Sequence, residues 1–252
     1  MIERNVLIHA MEELMGARRF KDYTINGLQI SGCDHVEKIM TGVTASQALL
    51  EEAVAWGADM VLVHHGYFWK NEPVAITGMK RQRIATLLNN NINLVAYHLP
   101  LDAHPELGNN AMLAKKLGWP VEGAIDADLG EGILFFGTLE APMSNQAVAT
   151  HIEKVLRRAP LVVEGHNHEI RKIVWCTGGA QDMISAAAEA GADAFISGEI
   201  SERTTHLARE LGVSYFAAGH HATERYGVQA LGNWLADHYP VTHRFVDIDN
   251  PA

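Results

Sequence analysis

Two adjacent histidines, His64-His65, close an otherwise apolar run and are followed by Gly66. Two other segments share one form, a histidine, three residues and a carboxylate: His98-x-x-x-Asp102 and His220-x-x-x-Glu224. Imidazole and carboxylate together suit Zn, Fe, Mn or Ni rather than Ca or Mg alone. His64, His65, Asp102, His220 and Glu224 are therefore a candidate metal centre. Three imidazoles and two carboxylates are many for one ion and suit two, with a carboxylate bridging. If His220 opens a helical turn, it and Glu224 stand at i and i+4 on one face. Adjacent histidines on a regular strand point to opposite faces. At a strand end before a glycine the backbone can curl, so that each reaches a different ion. His98 aligns with His220 and reads as a ligand, a proton carrier or a hydrogen-bonding neighbour of the ligands, the last two being favoured.

Further groups have the right residue types with weaker patterns. Thr177-Gly178-Gly179 follows a strand and precedes a helix, where backbone N–H groups can hold an anion such as a substrate phosphate. A tight strand–helix turn explains it equally well. Glu199 and His206 are candidates to line the same site, with exposed helix positions as the plain alternative. His221 adjoins a ligand and is expected to point away. His166-x-His168, with Glu164 and Glu169, is best explained as a solvated turn. Cys33 and Cys176 lack metal or redox spacing and read as reduced thiols. No Walker A loop, G-x-G-x-x-G or G-x-S-x-G elbow is present, so kinase, dehydrogenase and serine-hydrolase readings lose their usual support.

The elements that must carry these residues are of an α/β kind. Met60–His65 is apolar from its start, as in a parallel strand buried on both faces. Ligands in open α/β sheets bind outside the carboxyl ends of such strands, where the His pair falls. A helix is expected within 2–19, loop over 20–30 with a turn at Asn26-Gly27, and a strand over 38–43. Thr44 or Ser46 would cap a helix over 47–56 that stops at Gly57. A helix over 79–89 with Ile84, Leu87 and Leu88 inward precedes a strand over 93–97, and a helix over 109–117 follows. A strand over 132–139, a helix from Ser144 to about 158 and a strand over 161–163 form a connector. A helix over 226–238 and a strand over 242–248 end the chain as scaffold.

From Lys172 the pattern restarts. Lys38-Ile39 matches Lys172-Ile173, Gln47 matches Gln181, Ala53 matches Ala187, and Gly57-Ala58-Asp59 matches Gly191-Ala192-Asp193, all 134 positions apart (172 − 38). A constant offset through strand, helix, turn and strand points to a duplicated βαβ unit. The expected organisation is two related α/β half-domains, 1–120 and 171–252, joined by a connector over 121–170. Their sheets would be flanked by helices, with the metal site in the cleft between them.

The 252 residues can bury a good core, and 48% hydrophobic with 20% charged residues is an ordinary globular balance. A formal net charge of −10 argues against general nucleic-acid binding without excluding a local basic patch. No apolar run reaches membrane-span length and no secretory signal is visible, so a cytoplasmic protein without membrane contact is expected. The 14 histidines are the one unusual figure and point towards metal or proton chemistry.

Taken together, Asn26-Gly27-Leu28-Gln29, His64-His65-Gly66, His98-Leu99-Pro100-Leu101-Asp102, Gly191-Ala192-Asp193-Ala194-Phe195 and Gly219-His220-His221-Ala222-Thr223-Glu224 resemble the family of GTP cyclohydrolase I type 2 homologues in its short form. The resemblance covers essentially the whole chain. It implies a duplicated α/β fold, a dinuclear metal site on His64, His65, Asp102, His220 and Glu224, and a ring-shaped homohexamer with its sites facing the interior. Longer members carry an inserted domain in the connector, for which this chain has no room. The expected function is a two-metal hydrolase acting on a small molecule, as in ring opening of a guanine nucleotide or a related cyclic amide. His98 would shuttle protons, and Thr177, Gly178, Gly179 and Glu199 would meet the substrate. The alternative is a ring-shaped metal-binding protein associated with nucleic-acid metabolism and without cyclohydrolase activity, which is not favoured.

Overall fold

The computed structural model describes residues 1–127 and 130–252. They divide into two compact units, one of Met1–Leu101 with Gly227–Asp249, the other of Asp102–Tyr226 with Asn250–Ala252.

In the first unit the strand Met60–His65 is apolar up to its last two residues because its neighbours cover it. It pairs in parallel with Lys38–Thr44 on one side and Asn93–Ala96 on the other. The full sheet runs Thr242–Phe245, Lys38–Thr44, Met60–His65, Asn93–Ala96 and Gly27–Ile30, with only the last strand antiparallel to its neighbour. The segment Gly27–Ile30, expected to be loop, is thus an edge strand; four residues beside a turn signal carry too little alternation to show it. Ser46 caps the helix Gln47–Trp56 by accepting the Leu49 N–H at 3.4 Å, and Gly57, at φ +70°, ends it in the left-handed conformation. Leu49, Leu50 and Ala53 of that helix share a core with Met40, Val61, Val63, Leu94 and Ala96. Ile84 and Leu87 of the helix Gly78–Asn89 join them. Leu88 does not, being 57% exposed, so the buried stripe is narrower than its i, i+3, i+4 spacing implied.

The second unit has a sheet in the order Gly123–Ala127, Gly130–Met143, Ile170–Trp175, Ala194–Ser197, Ser214–Ala217 and Leu161–Val163. Its three strands Ile170–Trp175, Ala194–Ser197 and Ser214–Ala217 are parallel, and the outer ones pair antiparallel. Residues 121–170 therefore contribute three strands to this sheet. The helix Asn145–Leu156, capped by Ser144 on the Ala147 N–H, packs Val148, Ile152 and Leu156 against Trp175 and Phe216. The helix His220–His238 begins six residues before the expected 226, directly after Gly219.

The same contacts recur in each unit 134 positions apart. Asp59 Oδ2 accepts the backbone N–H groups of Glu37 and Lys38 at 2.8 and 2.9 Å, and Lys38 Nζ donates to Trp56 O. Asp193 Oδ2 accepts those of Arg171 and Lys172, both at 2.8 Å, and Lys172 Nζ donates to Ala190 O. Strand register follows suit, Ile39 lying opposite Met60 and Ile173 opposite Ala194. Among the described residues, no helix is long and apolar enough to cross a membrane.

Candidate metal centre

The buried strand Met60–His65 delivers its two terminal histidines to one place. Their ring centroids are 4.5 Å apart rather than on opposite faces, so the strand end departs from regular alternation there. His98, two residues past the end of the neighbouring strand Asn93–Ala96, lies 5.1 and 5.8 Å from them, centroid to centroid. One ring nitrogen from each of His64, His65 and His98 lies within 4.8 Å of the others. Each ring turns Nδ1 to its own partner. His64 Nδ1–H donates to Tyr97 O at 2.9 Å, His98 Nδ1–H donates to Asp22 Oδ1 at 2.7 Å, and His65 Nδ1 shares a hydrogen bond with Thr44 Oγ1 at 3.3 Å. Nε2 is then the nitrogen each would offer to a cation or a proton, which is the usual arrangement of a histidine oriented by a second partner.

Side chains from the edge strand Gly27–Ile30 and from the stretch before it fix these loops. Asn26 Oδ1 accepts the His98 N–H at 2.7 Å, and Asn26 Nδ2 donates to Asp22 Oδ2 at 2.8 Å. Gln29 clamps the backbone after Gly66, accepting the Tyr67 N–H at 2.7 Å and donating to Tyr67 O at 3.0 Å. Trp69 stands edge-on to His98 at 5.0 Å, following Phe68, whose φ of +65° is rare for an aromatic residue. Glu72 Oε2 holds that turn by accepting both the Phe68 and the Trp69 N–H, at 2.8 and 3.2 Å.

The second unit assembles Asp102, His220 and Glu224. The helix that opens at His220 puts Glu224 one turn on, with His220 Nε2 3.1 Å from Glu224 Oε2. Oxygens of Asp102 and Glu224, both buried, approach within 4.8 Å. Asn109 Nδ2 and Thr177 Oγ1 both donate to Asp102 Oδ1, at 2.9 and 3.1 Å, and Asn110 Oδ1 accepts the Thr177 N–H at 3.0 Å. Glu199 Oε1 accepts from His220 Nδ1 at 2.6 Å. Gly178 forms the floor: it has φ +67°, and a Cβ there would fall on Glu224 Oε1 and 3.1 Å from His220 Nε2.

The donors fit a divalent cation by their chemistry. They are carboxylates and imidazoles, with orienting partners on Asp102, His64 and His220; beside His220 and Glu224, a methyl group added at Gly178 would fill the space. Burial works against a charge on His220, but the adjoining carboxylates of Glu224 and Glu199 outweigh it and hold the imidazole up at about 9. Burial, reinforced by Asp102, pushes the Cys176 thiol well up.

Other candidates separate from this group. The Thr177 and Gly178 N–H groups are donated to Asn110 Oδ1 and Thr223 Oγ1, which makes the turn a support for the acidic donors rather than an anion cradle. Glu199 meets His220, while His206 forms an exposed i, i+4 pair with Glu202. His221 is buried. His166 and His168 stack at 3.4 Å and bind Asp193, through its backbone O and Oδ1 respectively. Asp22, Asn26, Gln29, Thr44, Asn109 and Asn110 were given no role at the site by the sequence reading; except for Asn109, seven residues from Asp102, each acts here on a partner distant in sequence.

Comparison with known proteins gives the family. The profile of the family Duf34/NIF3 (NGG1p interacting factor 3) matches residues 2–251. A Pseudomonas aeruginosa protein named "GTP cyclohydrolase 1 type 2 homolog" is 52% identical over 251 residues, covering 100% of this chain and 99% of that protein. An Escherichia coli protein of the same name is 52% identical over 96% of each chain. Among solved structures, "protein ybgI, unknown function" superposes with a TM-score of 0.95 at 50% identity, covering both chains fully. TTHA1606 from Thermus thermophilus gives 0.87 at 31% identity, again over both full chains. The chain belongs to the Duf34/NIF3 family.

Proposed function

We propose that this chain is a dinuclear metal-dependent hydrolase that opens a cyclic amide or the ring of a nucleotide, and that it assembles as a homohexameric ring. His64, His65, Asp102, His220 and Glu224 would hold two divalent cations. The observations that support the reading are an imidazole cluster in one unit and, within the other, buried, hydrogen-bonded carboxylates beside an imidazole. The name printed for the relatives points to the same reaction class. Bound divalent cations would lower the pKa of a water towards neutrality. Thr177 and Asn109 hold Asp102 in place, and Glu199 orients His220. His98, its Nδ1–H donated to Asp22, would take up and return a proton at Nε2 as the ring opens.

The test is to load the protein separately with Zn, Mn, Fe and Ni and incubate each with a panel of nucleotides and cyclic amides. Mass spectrometry is expected to find a product heavier by one water, or one that has further lost formate, only in metal-loaded samples. His98→Ala should lower its rate about 100-fold or more with metal content unchanged. No product with any metal across the panel would reject the hydrolase.

A further inference from the structure

Asp22 lies in neither histidine motif, and its carboxylate is 3% exposed beside a half-buried imidazole. We infer that Asp22 is the positioning residue of His98: by accepting the Nδ1 proton it fixes the tautomer and presents Nε2 as the basic nitrogen of that ring. The inference rests on the proton-carrying role given above to His98.

Donors converge on both carboxylate oxygens. Oδ1 accepts from His98 Nδ1 at 2.7 Å and the Tyr23 N–H at 2.6 Å, while Oδ2 accepts from Asn26 Nδ2 at 2.8 Å and the Leu99 N–H at 3.0 Å. Asn26 Oδ1 in turn takes the His98 N–H. One carboxylate thereby ties the ring of His98 and the backbone following it to the same point, and Trp69 packs edge-on against the ring. Only an acceptor at both oxygens satisfies this arrangement. A carboxamide must turn its NH2 either towards His98 and Tyr23 or towards Leu99 and Asn26, so that donor meets donor. The second choice leaves two donor–donor pairs and the first only one, with the Tyr23 N–H, because His98 Nδ1 can turn acceptor; the amide therefore faces His98 and the ring proton moves to Nε2.

The tautomer is read in metal-free protein labelled with 15N-histidine, by long-range 1H–15N correlation at alkaline pH, where the ring is neutral. In the wild type the His98 proton is expected on Nδ1. In Asp22→Ala and Asp22→Asn the population should move to Nε2. Metal content should stay at the wild-type level in both variants, and kcat for the substrate found in the panel should fall about 10- to 100-fold with little change in KM. A proton on Nε2 in the wild type overturns the inference, as does an unchanged tautomer in variants that melt like the wild type. If Asp22→Ala fails to fold, Asp22→Asn decides. Absence of turnover in the wild type counts against the hydrolase alone, since the tautomer is read without substrate or metal.

Discussion

Gly178 shows how little freedom the acidic donors have. Its φ of +67° disfavours any L side chain, and a Cβ would collide with Glu224 Oε1 beside His220 Nε2. Gly178→Ala is expected to cost about 1–3 kcal/mol of stability and to weaken metal binding, read by calorimetric melting and by metal titration of the surviving fold. A variant that melts and binds metal like the wild type would show that this floor is not tight. The candidate donors at this scale were legible in the sequence, because a histidine pair and two His-x-x-x-carboxylate segments stand out against an apolar background. Their orienting partners were not. Asp22 reaches His98 across 76 residues and Thr177 reaches Asp102 across 75, and no local pattern announces such contacts.

The recurring aspartates act at the scale of the elements. Asp193 ties the start of strand Ile170–Trp175 to the turn before Ala194–Ser197. Partial burial raises its pKa, but the backbone N–H groups of Lys172 and Arg171, with His168, outweigh this and hold the carboxyl below its ordinary 3.8. The carboxylate therefore stabilises the fold above that ordinary value, and the contribution disappears as pH falls through the depressed one. Asp193→Ala should lose about 1–2 kcal/mol at pH 7 in urea unfolding, with the gap to wild type narrowing as pH falls below the ordinary 3.8. A gap independent of pH would contradict the assignment. Leu62→Ala, in the middle of the buried strand Met60–His65, should cost about 2–5 kcal/mol in the same measurement. Most elements were readable from apolar period and caps, as with Ser46, Gly57 and Ser144. Gly27–Ile30 and the early start of the helix at His220 were not, since the edge strand depends on pairing with Asn93–Ala96 and the motif residues Gly219 to Glu224 hide helical period. The shared 134-residue offset of the Asp59 and Asp193 contacts is what a duplicated unit would produce.

For the whole molecule, the proposed ring of six chains predicts that light scattering gives six times the 27.6 kDa of one chain. A monomer at micromolar concentration would remove the ring from the account. Fold class was legible at this scale from the alternation of strands and helices, whereas assembly left no mark in composition or period. The claim on which the function depends is that His64, His65, Asp102, His220 and Glu224 serve the same pair of cations. Metal analysis of purified protein after exhaustive dialysis tests it most directly, with His64→Ala and Glu224→Gln measured in parallel. Two divalent ions per wild-type chain are expected, with loss in both variants and Glu224→Gln weakening both ions while the fold melts normally. Full occupancy in Glu224→Gln, or no metal retained by the wild type, would contradict the account.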